Sequence, residues 1–239
     1  TSAAGMPMNA DGKNLGITMK ANIFLSDSDL LTFGSEYHSQ KLDDWWNASG
    51  TSGMMQPNDF QNINNGSRDR FDIFSEWVKS WDSSFLTSFG LRYGQVRSNT
   101  GDVYGYQDSN GSGSMMHYYQ RDSDNFNASK KSKIDHNIDI SLLAEFIQSD
   151  FLSYEMGYAL KNRSPNLYER YTWSTWTMAA NMNNTYGDGN GYVGNLNLDP
   201  ETSHTISFTA DFHDFSKKVY SLRATPYFTY VDNYIDAVA

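Results

Sequence analysis

Ser164-Pro165-Asn166-Leu167-Tyr168-Glu169-Arg170-Tyr171 opens a polar connection rich in Asn and Gly. That connection ends at Gly194-Asn195-Leu196-Asn197-Leu198-Asp199-Pro200-Glu201-Thr202-Ser203-His204 and runs into a segment of strict alternation. Ile206, Phe208, Ala210 and Phe212 share one side of it, and Ser207, Thr209 and Asp211 the other. A period of two is the mark of a strand with one apolar and one polar face. A long polar excursion feeding a two-faced strand is the unit to look for elsewhere.

The unit recurs. Leu15, Ile17, Met19, Ala21 and Ile23 alternate with Gly16, Thr18, Lys20 and Asn22, and Ser26-Asp27-Ser28-Asp29 turns the chain. Leu31, Phe33 and Tyr37 return opposite Thr32, Gly34 and Glu36. Phe71, Ile73 and Trp77 alternate with Asp72 and Glu76; after a turn at 80–83, Phe85, Phe89, Leu91 and Tyr93 oppose Ser88, Gly90, Arg92 and Gly94. Ile134, Ile138, Ile140, Leu142, Ala144 and Phe146 form the clearest apolar row, and Leu152, Tyr154, Met156, Tyr158 and Leu160 bring the chain back. A fourth pair joins 203–213 to 218–231, with Pro226 expected to mark a bulge because it has no N–H for the ladder. The pattern predicts eight strands in four hairpins. Loops are expected at about 38–69, 97–132 and 164–202.

The asymmetry of the connections decides between architectures. Every short turn falls at one end of the strands and every long loop at the other, as in transmembrane barrels with short periplasmic turns and long external loops. Aromatic residues (Tyr37, Trp77, Trp81, Tyr93, Phe146, Phe151, Tyr220, Tyr230) gather near strand ends, where interfacial girdles lie. The predicted fold class is all-β, an antiparallel transmembrane β-barrel. The competing architecture is a secreted β-sandwich, a binding module or glycan-active enzyme, whose apolar rows would be buried against a second sheet.

Composition narrows the function classes. Mean hydropathy is −0.63 and no apolar run approaches the ~18 residues of a membrane helix; a barrel is untouched by this, because its strands average out. A net charge of −10 argues against a nucleic-acid partner. The chain has no cysteine, hence no disulfide, thiolate ligand or cysteine nucleophile. Nucleophile-elbow, P-loop and zincin motifs are missing, and Gly187-Asp188-Gly189-Asn190-Gly191 lacks the spacing of a calcium loop. No enzymatic activity is expected.

The segment Pro165–Tyr171 together with Asn195–His204 resembles the TonB-dependent outer-membrane receptors. Tyr168-Glu169-Arg170-Tyr171-Thr172-Trp173 and the end of the chain, Thr225-Pro226-Tyr227-Phe228-Thr229-Tyr230-Val231-Asp232-Asn233-Tyr234, are similar to the branch known as TonB-dependent copper receptors. The resemblance implies an outer-membrane location in a Gram-negative cell, a barrel of about twenty-two strands, and three partners: the lipid bilayer, a plug domain and the TonB energy-transducing complex. Residues 1–239 show no plug and far fewer strands, so they are expected to be a barrel segment of a longer protein.

Methionine sharpens the substrate. Eight of the ten lie in polar loops or the N-terminal segment. Thioether sulfur is a soft ligand suited to Cu(I), and imidazole accepts copper in either state. Met6 and Met8 flank Pro7, and Met116 is followed by His117; these four are the candidate ligands for copper as transported cargo. Loop tryptophans such as Trp45, Trp46, Trp173 and Trp176 favour the alternative, a siderophore or other metal chelate.

Overall fold

In a computed structural model, residues 8–49, 55, 56, 58–106, 116–183, 190–214 and 219–236 are described, with the backbone alone for 116–120. Nine strands form one antiparallel sheet: β1 (Met8–Ser26), β2 (Asp29–Trp46), β3 (Phe60–Ser80), β4 (Phe85–Asn99), β5 (Lys133–Ser149), β6 (Leu152–Arg163), β7 (Glu201–His213), β8 (Ser221–Ala224) and β9 (Tyr227–Asp232). From β1 to β8 each strand pairs with its sequence neighbour, and β9 pairs with β7 alongside β8. Three helices lie in the long connections: α1 (Met116–Ala128), α2 (Leu167–Tyr171) and α3 (Thr177–Met182).

The return strand expected over 218–231 is in two pieces, and Pro226 is the cause. Ala210 pairs with Ala224 and Ser207 with Tyr227, so one register runs through both β8 and β9 without a bulge. Phe208 N–H reaches Pro226 O at 3.1 Å. Proline cannot return that bond, and the ladder is interrupted there.

The apolar rows face outward and are covered by nothing among the described residues. Ile17, Ile73, Ile138 and Ile206 are 51%, 51%, 52% and 53% exposed, and their row-mates Phe33, Leu91, Leu142, Met156 and Phe208 are exposed as well. A contiguous exposed apolar face of this kind marks a surface that meets lipid or a partner. It is the belt of a lipid-facing wall, and the sandwich alternative fails because no second sheet packs on it among the described residues. Hydrogen-bonded tyrosines border the belt on the loop side: Tyr37 donates to Asp69 at 3.1 Å, Tyr93 pairs with His136 at 2.7 Å and Tyr158 with His204 at 3.0 Å. On β4 the outer row from Phe85 to Tyr93 matches one crossing of ~9–11 residues.

The opposite face is wet. Glu36, Asp72 and Arg92 meet there from three strands, with Arg92 3.1 Å from Glu36 and 3.9 Å from Asp72, and Arg70 2.7 Å from Asp72. A side chain at Gly94 would collide with Asp72, its Cβ lying 2.3 Å from Asp72 Oδ1, so the glycine makes room for this cluster. The observed fold is therefore an arc of antiparallel barrel wall with a lipid-facing side and a polar interior side.

The loop reading needs correction. Most of 38–69 is strand: β2 continues to Trp46 and β3 begins at Phe60. Above the belt the outward row itself turns polar, as in Ser39, Lys41 and Asp43, so the contrast between the two faces is lost. Helix α1 lies in the expected 97–132 loop, and α2 and α3 in the 164–202 loop.

Candidate functional site

The conventional hydrophobic core of this chain sits beyond the belt, at the loop end of the sheet. It begins where β2 and β3 lose register. Leu42 pairs with Gly66, but Asp44 pairs with Ile63 and Trp45 with Gln61, which leaves extra residues on β3. Asn65 takes a φ of 50°, a left-handed conformation that Asn tolerates, and its N–H bonds Asp43 Oδ1 at 2.6 Å. Bulges bend strands, and Leu42, Trp46, Phe60 and Ile63 become buried together.

The β6–β7 connection lies on this platform. Asn166 caps α2: its side chain accepts from Glu169 N–H at 2.8 Å while the Glu169 carboxylate accepts from Asn166 N–H at 2.8 Å. The capped turn buries Leu167, Arg170 and Tyr171. Arg170 forms a two-pronged bond with Asp135 of β5, at 2.7 and 2.8 Å, and donates to Leu198 O at 2.9 Å. Tyr171 donates to Lys131 O, and Arg68 of β3 donates to the Ser164 and Pro165 carbonyls. Trp173 stacks on Phe60 at 4.9 Å with 7° between planes, and its indole N–H reaches Gln61 O at 3.0 Å. The motif read as the family signature thus fastens the loop across β3, β4 and β5.

A buried polar network ties α3 to the same platform. Asn62 Nδ2 donates to Asp44 Oδ2 and to Asn183 Oδ1, both at 2.8 Å. All three residues are buried. Burial pushes the Asp44 carboxyl above the ordinary carboxylate value, against the opposing pull of its bonds to Asn62 and Tyr168. The Tyr168 hydroxyl is pushed up to about 12, by burial first and by Asp44 second. From the β4–β5 connection Asp122 accepts from Thr175 N–H at 2.8 Å and from the Thr175 hydroxyl, and Phe126 enters the core. A cavity of about 500 Å³ opens at the edge of this layer, walled by Tyr168, Glu169, Tyr192, Asn195 and Tyr234.

Of the four residues singled out as metal ligands, Met8 alone has a described side chain. It lies at the loop end of β1, half exposed, in register with Trp46. Met6 lies outside the described residues. Met116 and His117 form the first turn of α1, but their side chains are likewise outside the described part. Met55 and Met182, counted among the loop methionines but not among the four candidate ligands, pack against the aromatic core that contains Trp46. No spacing rule could have found them, since they lie on separate connections. Among the described residues no group of three or more His, Asp or Glu is arranged to hold a metal ion. His136 and His204 stand on the lipid-facing rows beside Tyr93 and Tyr158, as an interfacial placement requires.

The same architecture is found in solved receptors. The copper transporter OprC matches with a TM-score of 0.63 at 16% identity, over 95% of this chain and 31% of that one. The FrpB iron transporter from Neisseria meningitidis matches with a TM-score of 0.58 at 13% identity, over 93% and 29%. The Serratia marcescens hemophore receptor HasR, solved with its hemophore HasA and heme, matches with a TM-score of 0.55 at 14% identity, over 95% and 34%. At these identities the likeness is one of fold, and the chain spans about a third of each structure's length. No curated protein matches the sequence. The family profile described as TonB dependent receptor-like, beta-barrel, matches residues 8–239, and the chain therefore belongs to the TonB-dependent receptors, as part of their β-barrel.

Proposed function

We propose that this chain supplies wall and mouth to an outer-membrane receptor that captures copper at its external loops. The observation that carries the reading is the placement of thioethers at the mouth. Met8 stands in register with Trp46, and Met55 and Met182 pack against the cluster to which Trp46 belongs. Soft sulfur ligands beside an apolar, water-poor cluster suit Cu(I). Met6, Met8, Met116 and His117 are the proposed capture ligands, with Met55 and Met182 as further candidates. The fold likeness to a copper transporter supports this reading, while iron and heme receptors share the fold equally. Residues 1–239 act as one barrel segment in this proposal. A plug domain would close the lumen, and the TonB complex would move it; both lie outside this chain.

A second reading has its own observation. The cavity lined by Tyr168, Tyr192 and Tyr234 is large enough for an organic chelate and has three tyrosines in its wall. Metal analysis of the purified receptor after exposure to Cu(I), to a ferric chelate and to heme separates the two. Copper retention that falls in Met8→Ala and in the double variant Met116→Ala/His117→Ala, with iron and heme unbound, is the expected result. Retention of the ferric chelate or heme with no copper overturns the copper reading in favour of the second.

A further inference from the structure

The lipid-facing side of the sheet is not uniform. Trp77, Phe89, Leu142, Tyr158 and Ile206 lie in one register across β3 to β7 and form a bulky ridge. The next outward rung toward the short turns holds Thr87 beside Ala144, two small side chains. Beyond it Phe85, Phe146 and Tyr154 are bulky again. Small residues sunk next to a ridge leave a trough of about 600 Å³, floored by Thr87 and Ala144 and walled by the ridge and Met156. The Thr87 hydroxyl on its floor accepts from Trp81 Nε1 at 2.9 Å.

One end of the trough is polar. Lys79 is in register with Thr87, and its ammonium lies 4.8 Å from the Trp81 ring centre and 3.1 Å from Asp29. Trp77 Nε1 reaches Asp29 Oδ1 at 3.3 Å, so the last residue of the ridge belongs to the same cluster. The adjacent turn carries Asp82, whose side chain is exposed apart from its bonds to the Ser84 and Phe85 N–H groups. Lys79, paired with Asp29 and set against the Trp81 indole, sits where the belt meets the short-turn interface, and Asp82 lies on the turn that follows.

We propose that this trough is a binding site for a phospholipid of the short-turn leaflet, with one acyl chain across Thr87 and Ala144 and a phosphoethanolamine headgroup on Lys79 and its carboxylates. An acyl chain is the unbranched, polar-free occupant that a narrow apolar trough in a bilayer selects. The phosphate takes free N–H donors of Lys79. The headgroup ammonium is matched to Asp29 and Asp82, and its proximity to the Trp81 face adds a cation–π contact. A headgroup bearing only negative charge would meet the two carboxylates unfavourably. The site depends on the barrel wall alone and stands or falls separately from copper capture.

Native mass spectrometry of the detergent-purified, full-length receptor tests it, with phosphatidylethanolamine, phosphatidylglycerol and diacylglycerol of identical chains added in turn. The wild-type receptor is expected to keep one phosphatidylethanolamine in preference to the other two. Filling the floor with Ala144→Phe should lower its retention about tenfold or more, and Lys79→Gln should abolish the preference over diacylglycerol. Heat-modifiable migration verifies that each variant is folded; should Ala144→Phe fail to fold, Ala144→Leu fills the same floor with less bulk. Unchanged retention in the filled, folded variant overturns the proposal. So does equal retention of diacylglycerol, a preference for phosphatidylglycerol, or occupancy by detergent alone.

Discussion

Arg170 is the residue on which the loop layer turns. Its guanidinium and the Asp135 carboxylate are both nearly inaccessible to water. Removing one member of a buried pair strands the other charge, at a cost of about 3–5 kcal/mol, whereas replacing both with apolar side chains is often close to neutral. Arg170→Met should therefore loosen the 164–200 connection, read as faster amide exchange there. Arg170→Met with Asp135→Leu should recover most of the protection; a double variant as loose as the single one would contradict this account. Asp44 makes a second prediction at the same scale. Its folded-state pKa is raised, so at neutral pH the buried charge destabilises the layer. Lowering the pH through that raised value protonates the group and stabilises the layer, until the ordinary carboxylate value of 3.8 is reached and the gain is complete. Amide protection at 177–183, taken relative to the intrinsic exchange rate at each pH, should rise on acidification in the wild type, and Asp44→Asn should flatten that dependence.

At the scale of elements, α2 exists because it is capped. Five residues cannot hold a helix by propensity alone; the reciprocal bonds of Asn166 and Glu169 supply the missing partners. Asn166→Ala is expected to cost about 1 kcal/mol, with exchange rising at 167–171 while β3 to β6 stay protected. The capping box is legible in Asn166-Leu167-Tyr168-Glu169, but the inward docking of Arg170 onto Asp135 is not. Asp135 and Arg170 are far apart in the chain and no local pattern joins them. Pro226 shows the opposite case. Its disruption of a strand was foreseeable from the missing N–H, and only the unbroken register on both sides shows that β8 and β9 are one interrupted strand. Pro226→Val should let the ladder run through, giving a protected amide at 226 and slower exchange at its neighbours.

For the whole molecule, the direction each row faces matters more than any single contact. An outer-row charge must enter hydrocarbon, at a cost of about 2–4 kcal/mol for Arg near the bilayer midplane. Leu91→Arg should pay that penalty in denaturant unfolding from lipid vesicles, whereas Thr18→Arg, on the interior row of β1, should change stability far less. Equal losses at the two positions would mean that the rows do not divide lipid from lumen.

The sequence by itself determined which residues share a row. Chain geometry puts alternate side chains on opposite faces, and within the bilayer those faces meet oil and water, so Leu15–Ile23, Phe89–Tyr93 and Ile134–Phe146 announce themselves. Beyond the belt both faces meet water or the loop layer, the contrast vanishes, and β2 and β3 past His38 and before Asp69 read as loop. Only the tertiary structure decided what happens there: the bulges at Asp43–Asn65, the stacking of Trp173 on Phe60, and the meeting of Asp44, Asn62 and Asn183. These depend on segments brought together by the closing of long loops, and contacts of that range leave no periodic trace in the chain that makes them.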